Sequence, residues 1–75
     1  MKVTAKSDSE DVRIYLNGLL HIRFPRDKNT QVQSWMETHK KLYVIQITAK
    51  KHTQWIEHED KNIWEIILKL LDKHL

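Results

Sequence analysis

The sequence contains no cysteine, and it has a single glycine and a single proline. The lack of cysteine excludes disulfide bonds and all zinc sites built from thiolate ligands. With Gly18 as its only glycine, the chain cannot form the glycine-rich loops that cradle phosphate groups in nucleotide-binding proteins. Stability therefore has to come from packing, or from a partner chain that covers further surface.

Long apolar runs are also missing. No apolar stretch approaches the ~18 residues that a membrane-spanning helix requires. The N-terminal segment "MKVTAKSDSE" lacks the apolar core of a signal peptide, and no lipidation motif is present. We therefore expect a cytoplasmic protein with no membrane partner.

The 75 residues, of which 40% are hydrophobic and 31% charged, predict one small soluble domain. A domain of this size buries only about 60% of the surface that its unfolded chain exposes, so its stability is marginal. Residues 1–9 are polar and show no periodicity. We therefore predict a loosely ordered tail over 1–9, with a short strand at most at Lys2–Thr4, and a single α+β domain over 10–75.

Charge is distributed unevenly along the chain. The formal net charge is +3, made up of +5 over residues 1–51 and −2 over residues 52–75. The basic excess in the first two-thirds of the chain permits an anionic partner, although it does not require one.

The stretch "YLNGLLHIRF" predicts a β-hairpin, because Asn17-Gly18 lies between apolar runs. A two-residue type I′ turn at Asn17-Gly18 would mix apolar and charged residues on both faces of the hairpin. A three-residue loop, Leu16–Gly18, shifts the pairing by one residue and separates the faces. We therefore predict this loop, which gathers on one face the apolar residues Val12, Ile14, Leu20, Ile22 and Phe24.

Three further strands are predicted at Thr30–Glu37, Leu42–Thr48 and Thr53–Glu57. Leu42–Thr48 is apolar on both faces, which is typical of a central strand or of one covered on both sides. The last segment is a helix, since Ile63, Ile67 and Leu70 recur with a 3.6-residue period. The predicted fold is a five-stranded antiparallel β-meander with one C-terminal amphipathic helix packed on one sheet face.

Asp60 is a candidate N-cap of this helix, and Asn62 with Glu65 offers an alternative capping box. A sheet followed by one C-terminal helix that carries Trp64 resembles an abbreviated pleckstrin-homology-type domain. The resemblance concerns the order of elements, so it implies a fold and no site residue.

Two sets of residues are candidates for binding. The charged and aromatic face of the hairpin is open to three interpretations: a solvated face with an Asp11–Arg23 salt bridge, a protein interface, or a surface for single-stranded nucleic acid. Its members are Arg13, Tyr15, His21 and Arg23. The second set lies in two turns that a meander places at the same end, where cations can bind phosphate or simply aid solubility. Its members are Arg26, Lys28, Lys50 and Lys51.

A cluster of histidines and acids precedes the helix, but its spacing matches no zinc motif, so we expect solvated loop residues. It comprises His52, Glu57, His58, Glu59 and Asp60. We identify no catalytic residue, no metal site and no cofactor site in the sequence.

The leading hypothesis is a small non-catalytic protein-interaction module that forms a homodimer, because one helix can cover only one face of the doubly apolar strand. The alternative is a nucleic-acid-binding accessory protein that uses the basic loops. An enzyme would need a deep pocket, which so short a chain seldom forms alone.

Overall fold

The computed structural model describes all residues 1–75, and it contains six β-strands and one helix. The strands form two three-stranded antiparallel sheets, a first sheet with the order β1-β2-β3 and a second sheet with the order β4-β5-β6. The elements are β1 (Val3–Ser7), β2 (Asp11–Leu16), β3 (Leu19–Pro25), β4 (Gln31–Glu37), β5 (Leu42–Ala49), β6 (His52–His58) and α1 (Lys61–His74).

The α+β class, the antiparallel pairing and the C-terminal helix are confirmed. The single five-stranded meander is wrong, because the chain forms six strands divided between two sheets. The additional strand, β1, lies in the segment predicted to be a loosely ordered tail. It pairs with β2 from Val3, opposite Leu16, to Ser7, opposite Val12. Its sequence is mostly polar, so only this pairing and its packing against α1 establish it as a strand.

The hairpin between β2 and β3 differs from the predicted three-residue loop. Asn17 and Gly18 both have positive φ, 51° and 82°, and Leu16 lies opposite Leu19, which is the geometry of a two-residue turn. A β-bulge follows at once, because Tyr15 pairs with Leu20 and Ile14 pairs with Ile22. The extra residue, His21, shifts the register by one and restores the apolar face.

The bulge thus separates apolar from charged residues on the two faces of the hairpin, which is the effect expected of the three-residue loop. Val12, Ile14, Ile22 and Phe24 are buried together as predicted. Leu20 is the exception, because it lies on the turn side of the bulge and is 54% exposed.

The core lies between the two sheets and the helix, which packs against β1, β5 and β6. Each of the three layers contributes fully buried apolar side chains, and burying such a side chain contributes about 1.5–3 kcal/mol. The core residues are Val12, Ile14, Ile22 and Phe24 from the first sheet, Ile45, Ile47, Ala49 and Ile56 from the second, and Ile67 and Leu71 from the helix.

Strand β5 is central in the second sheet, in line with its apolar character on both faces. Ile45 and Ile47 enter the core, whereas Val44 lies on the opposite, outer face and is only 2% exposed. Trp35 of β4 lies directly opposite Val44 in the ladder, so neighbouring strands supply part of the cover on this face. Most apolar side chains of β5 are therefore covered by other residues of the same chain.

The helix begins as the sequence indicates. Asp60 is the N-cap, and its Oδ1 accepts a hydrogen bond of 2.8 Å from the backbone N–H of Asn62. Trp64 fastens the helix to the second sheet, since its Nε1 donates to the carbonyl of Val44 at 3.1 Å and its ring lies 5.2 Å from that of Tyr43. With 14 residues, α1 is too short to span a lipid bilayer, and it is the only helix.

Candidate functional site

The two sheets are connected at β3 and β6, each an edge strand of its own sheet. No backbone ladder joins them, and side chains make the connection. Gln54 Nε2 donates to the carbonyl of Arg23 at 3.0 Å, and His21 Nε2 lies 3.0 Å from His58 Nε2. We call these two contacts the β3–β6 seam.

The histidine pair is the most unusual feature of the seam. The ring centroids of His21 and His58 are 4.9 Å apart and the rings are tilted by 49°. At 3.0 Å one Nε2 donates a hydrogen bond and the other accepts it, so the pair shares a single proton. His21 is the bulged residue of β3, and bulges commonly redirect a side chain. The bulge therefore serves the core and also turns His21 toward β6.

Both imidazoles are held in the neutral form. Desolvation lowers the pKa of His21 below its ordinary value of 6.5. Desolvation also lowers the pKa of His58, the nearby His21 lowers it further, and the carboxylate of Asp60 opposes the shift. Both shifts favour the uncharged form of the rings, in which each ring has one nitrogen able to act as an acceptor or a ligand.

The sequence did not reveal this pair, because His21 and His58 lie 37 residues apart in different sheets. The predicted cluster around His58 does not converge, and no group of three or more histidine or acidic side chains is placed to share a metal ion. The sequence around a single histidine in a strand does not show which distant residue it will contact, because that depends on how the two sheets are arranged.

The structure divides the predicted hairpin surface. Arg13, Tyr15 and Arg23 share the outer face of the first sheet, and Arg13 lies opposite Arg23, whereas His21 was the predicted neighbour. Asp11 joins both guanidinium groups, with its carboxylate 2.9 Å from Arg23 Nε and 3.2 Å from Arg13 Nε.

Asp8 adds a further contact of 3.3 Å to Arg13. The Asp11–Arg23 salt bridge suggested by the sequence is therefore present. Because carboxylates already pair with both arginines, this face offers little unpaired positive charge to a phosphate group.

The predicted basic loops do come together. Asp27 Oδ2, in the loop after β3, accepts a hydrogen bond of 2.8 Å from the backbone N–H of Lys50, in the turn after β5. Together with the N–H of Asn29, this bond lowers the pKa of Asp27 below its ordinary value of 3.8. The four cations of these loops form no ion pair, in contrast to Arg13 and Arg23. They are Arg26, Lys28, Lys50 and Lys51.

The turn between β5 and β6 is strained. Lys50 and Lys51 have φ values of 48° and 67°, a left-handed conformation that costs most side chains roughly 1–2 kcal/mol per residue. The hydrogen bond from Lys50 to Asp27 helps to hold this conformation. Side chains other than glycine and asparagine seldom occupy both positions of such a turn.

A further surface, strand β4, was not singled out from the sequence. It pairs with β5 in an uninterrupted register from Gln31 to Glu37, and its other edge is free. The strand "QVQSWME" contains no lysine, arginine, proline or bulge, the usual devices that prevent edge strands from pairing with other chains. Met36 is 50% exposed on the core-facing side of this edge.

An apolar groove lies beside β4, between its core-facing side and the C-terminal half of α1. The groove has a volume of about 370 Å³, and four of its six lining residues are hydrophobic. It is lined by Thr30, Val32, Leu68, Leu71, Asp72 and Leu75.

The outer face of the second sheet carries two tryptophans whose N–H groups are already bonded. Trp55, 59% exposed, donates to Gln46 Oε1 at 2.9 Å, and Trp35 donates to Glu37 Oε1 at 3.3 Å. Their rings remain available for contact, which is typical of residues at the centre of an interface.

Comparison with known proteins found no matching family model, no similar curated protein and no similar solved structure. The resemblance to pleckstrin-homology-type domains therefore stays a statement about the order of elements. The features that can support a function are the β3–β6 seam, the basic loops and the free edge of β4.

Proposed function

We propose that the protein is a small non-catalytic interaction module that forms a homodimer through strand β4. The observation that supports this proposal is the unprotected edge of β4, seven residues long and regular throughout. A free edge presents unpaired N–H and C=O groups, and a second strand can satisfy them by extending the sheet. Two copies joined in this way form one continuous six-stranded sheet.

A twofold axis at Ser34 gives a self-complementary register. Antiparallel pairing about this residue keeps outer side chains opposite outer ones and core-facing side chains opposite core-facing ones. No like charges face each other, because Glu37 is the only charged residue of β4. The opposed pairs are Gln31 with Glu37, Val32 with Met36, Gln33 with Trp35, and Ser34 with itself.

This register also gives Met36 a place to pack. Met36 of the second copy lies opposite Val32, which lines the apolar groove between β4 and α1. Each copy thus inserts one half-exposed methionine toward the groove of the other. Methionine suits this position, since its flexible side chain fills irregular gaps.

The expected affinity is modest. A seven-residue strand with one flanking groove falls at or below the ~1,200 Å² that separates weak from stable interfaces. We therefore expect dissociation in the micromolar range and a monomer–dimer equilibrium that depends on concentration.

Substitution of Ser34 tests both the interface and its register. Ser34→Lys places two ammonium groups opposite each other on the twofold axis and abolishes dimers, whereas the neutral control Ser34→Thr preserves them. Ser34→Glu fails in the same way, but an equimolar mixture of the Lys and Glu variants forms heterodimers. Sedimentation velocity at high micromolar concentration measures each outcome. Dimers of unchanged affinity for Ser34→Lys would rule out this interface.

The second candidate function is nucleic-acid binding by the basic loops. It is favoured by the hydrogen bond that joins the loops and by the absence of ion pairs at their four cations. Fluorescence anisotropy with a labelled single-stranded oligonucleotide at low salt tests it. Binding should weaken steeply with added salt and with Lys50→Ala/Lys51→Ala, but not with Lys69→Ala on the helix. The absence of binding at low salt would exclude this function.

A further inference from the structure

We propose that His21 and His58 form a binding site for a divalent transition-metal ion at the β3–β6 seam. The site is independent of the proposed dimer, because both histidines lie on the side of the molecule formed by β3 and β6, away from the β4 edge. Its ligand class is set by the imidazole nitrogens, which favour zinc, copper and nickel over calcium and magnesium.

The distance between the two ligand atoms fits chelation. Imidazole nitrogens bind zinc at about 2.0–2.1 Å, so two nitrogens on one ion are separated by about 2.9 Å at a right angle and by about 3.4 Å at the tetrahedral angle. The observed Nε2–Nε2 distance of 3.0 Å lies within this interval. Rotation of the two rings about their side-chain bonds can direct both lone pairs at one ion.

The protonation states also permit binding. A chelating pair needs both rings protonated on Nδ1, so the proton now shared between the Nε2 atoms has to move to the Nδ1 of its own ring. No protein group is hydrogen-bonded to either Nδ1, so this tautomer breaks only the hydrogen bond between the two Nε2 atoms, which the ion replaces. The ion then takes the place that the shared proton holds between the two Nε2 atoms.

The surroundings define a two-residue site with open positions. No third histidine or carboxylate is placed to join the pair, so solvent completes the coordination shell. The negative charge of Asp60 acts on His58 and would favour a bound cation. Its Oδ1, however, accepts the hydrogen bond that caps α1. A site of this kind binds more weakly than a structural zinc site with four protein ligands.

Metal binding has a structural consequence, because the two ligands belong to different sheets. Without a bound ion, β3 and β6 are joined by side-chain contacts and not by a backbone ladder. An ion held by His21 and His58 would link the sheets directly. Because the unfolded chain does not hold these residues together, binding stabilises the folded state.

Titration of the untagged full chain with zinc chloride tests the proposal, with the ring protons of all five histidines followed by NMR. We expect the resonances of His21 and His58 to shift first and together. The affinity should fall by about tenfold or more in His21→Gln and in His58→Gln, since each retains one imidazole and loses the effective concentration of the second.

The control variant is His52→Gln, which removes an exposed histidine from the same strand as His58 and should leave the affinity unchanged. Thermal unfolding supplies a second readout. Zinc should raise the Tm of the wild type and of His52→Gln, and a chelator should reverse the effect. Resonances of His39, His52 or His74 that shift at lower zinc concentrations than those of the pair would overturn the proposal. So would equal affinities for all three variants.

Discussion

The two sheets contain three strands each, but they differ in the regularity of their strands, in their edges and in the residues on their outer faces. The first sheet has a bulge, a short edge strand packed against α1, and an outer face on which Asp11 pairs with two arginines. The second sheet has uninterrupted registers and an outer face with two tryptophans. Its free edge strand, β4, contains no lysine or arginine that would hinder pairing with another strand. The outer face of the first sheet is thus occupied by ion pairs within the chain, whereas the edge of the second sheet carries no lysine, arginine or proline.

This difference indicates a division of roles. The first sheet buries four core residues, and the charged side chains of Asp11, Arg13 and Arg23 pair with one another on its outer face. The second sheet also contributes to the core, and in addition it has a free edge at β4 and two tryptophans on its outer face. Stability should therefore depend on core residues of either sheet, and association only on the second.

The largest expected effect comes from the core of the first sheet. Phe24 is 1% exposed, and Phe24→Ala should destabilise the protein by about 3–5 kcal/mol, which a domain of this size barely tolerates. Trp55→Ala removes a larger ring system from the outer face of the second sheet, but this side chain is 59% exposed and its loss should change stability far less. Urea denaturation followed by circular dichroism compares the two variants. Equal losses of stability would contradict the division of roles.

The next largest effect distinguishes the two tight turns. The β2–β3 turn has Asn17-Gly18 at positions of positive φ, and the β5–β6 turn has Lys50-Lys51. The double substitution Lys50→Asn/Lys51→Gly should raise the free energy of unfolding by about 1 kcal/mol, because it relieves left-handed strain.

The reverse change, Gly18→Ala, should lower stability by about the same amount. An added Cβ at Gly18 meets no atom within 4 Å, so the cost is one of backbone conformation alone. Thermal unfolding of the two variants measures both signs. A destabilised β5–β6 variant would mean that the lysines themselves, rather than the turn, stabilise this end of the molecule.

A smaller effect is expected on the outer face of the first sheet. Asp11→Asn removes the charge that Arg13 and Arg23 share and should cost about 1 kcal/mol or less, the usual range for ion pairs near the surface. Denaturation at low and high salt identifies the cause, since the difference between the wild type and the variant should shrink as salt screens the pairs. A difference that salt does not change would point to packing.

The smallest effect is confined to acidic solution. The pKa of Asp27 is lowered by hydrogen bonds from the N–H groups of Lys50 and Asn29. The resulting stabilisation is present above the ordinary pKa of 3.8 and is lost as the pH falls through the lower folded value. Asp27→Asn should reduce the dependence of stability on pH below about 4. An unchanged acid profile would show that these hydrogen bonds do not favour the carboxylate.

The sequence predicted those parts of the fold that local patterns determine. The period of Ile63, Ile67 and Leu70 identified α1, and Asp60 was correctly proposed as its cap. The alternation in residues 12–24 identified the buried face of the hairpin. It could not distinguish a longer loop from a bulge, because both shift the register by one residue.

Features that arise from pairing between distant segments could not be predicted in this way. The polar sequence of β1 becomes a strand only beside β2. The division into two sheets depends on how β3 and β6 meet, and so does the contact of His21 with His58. The meeting of the basic loops was foreseen, because it follows from the alternation of turns between antiparallel strands.

The central claim is that the open edge of β4 joins two copies of the chain. Sedimentation velocity of an equimolar mixture of the Ser34→Lys and Ser34→Glu variants tests it most directly, with each variant alone as the reference. We expect monomers for each variant alone and dimers for the mixture. A mixture that remains monomeric, while the wild type dimerises under the same conditions, would contradict the claim that β4 strands pair about Ser34.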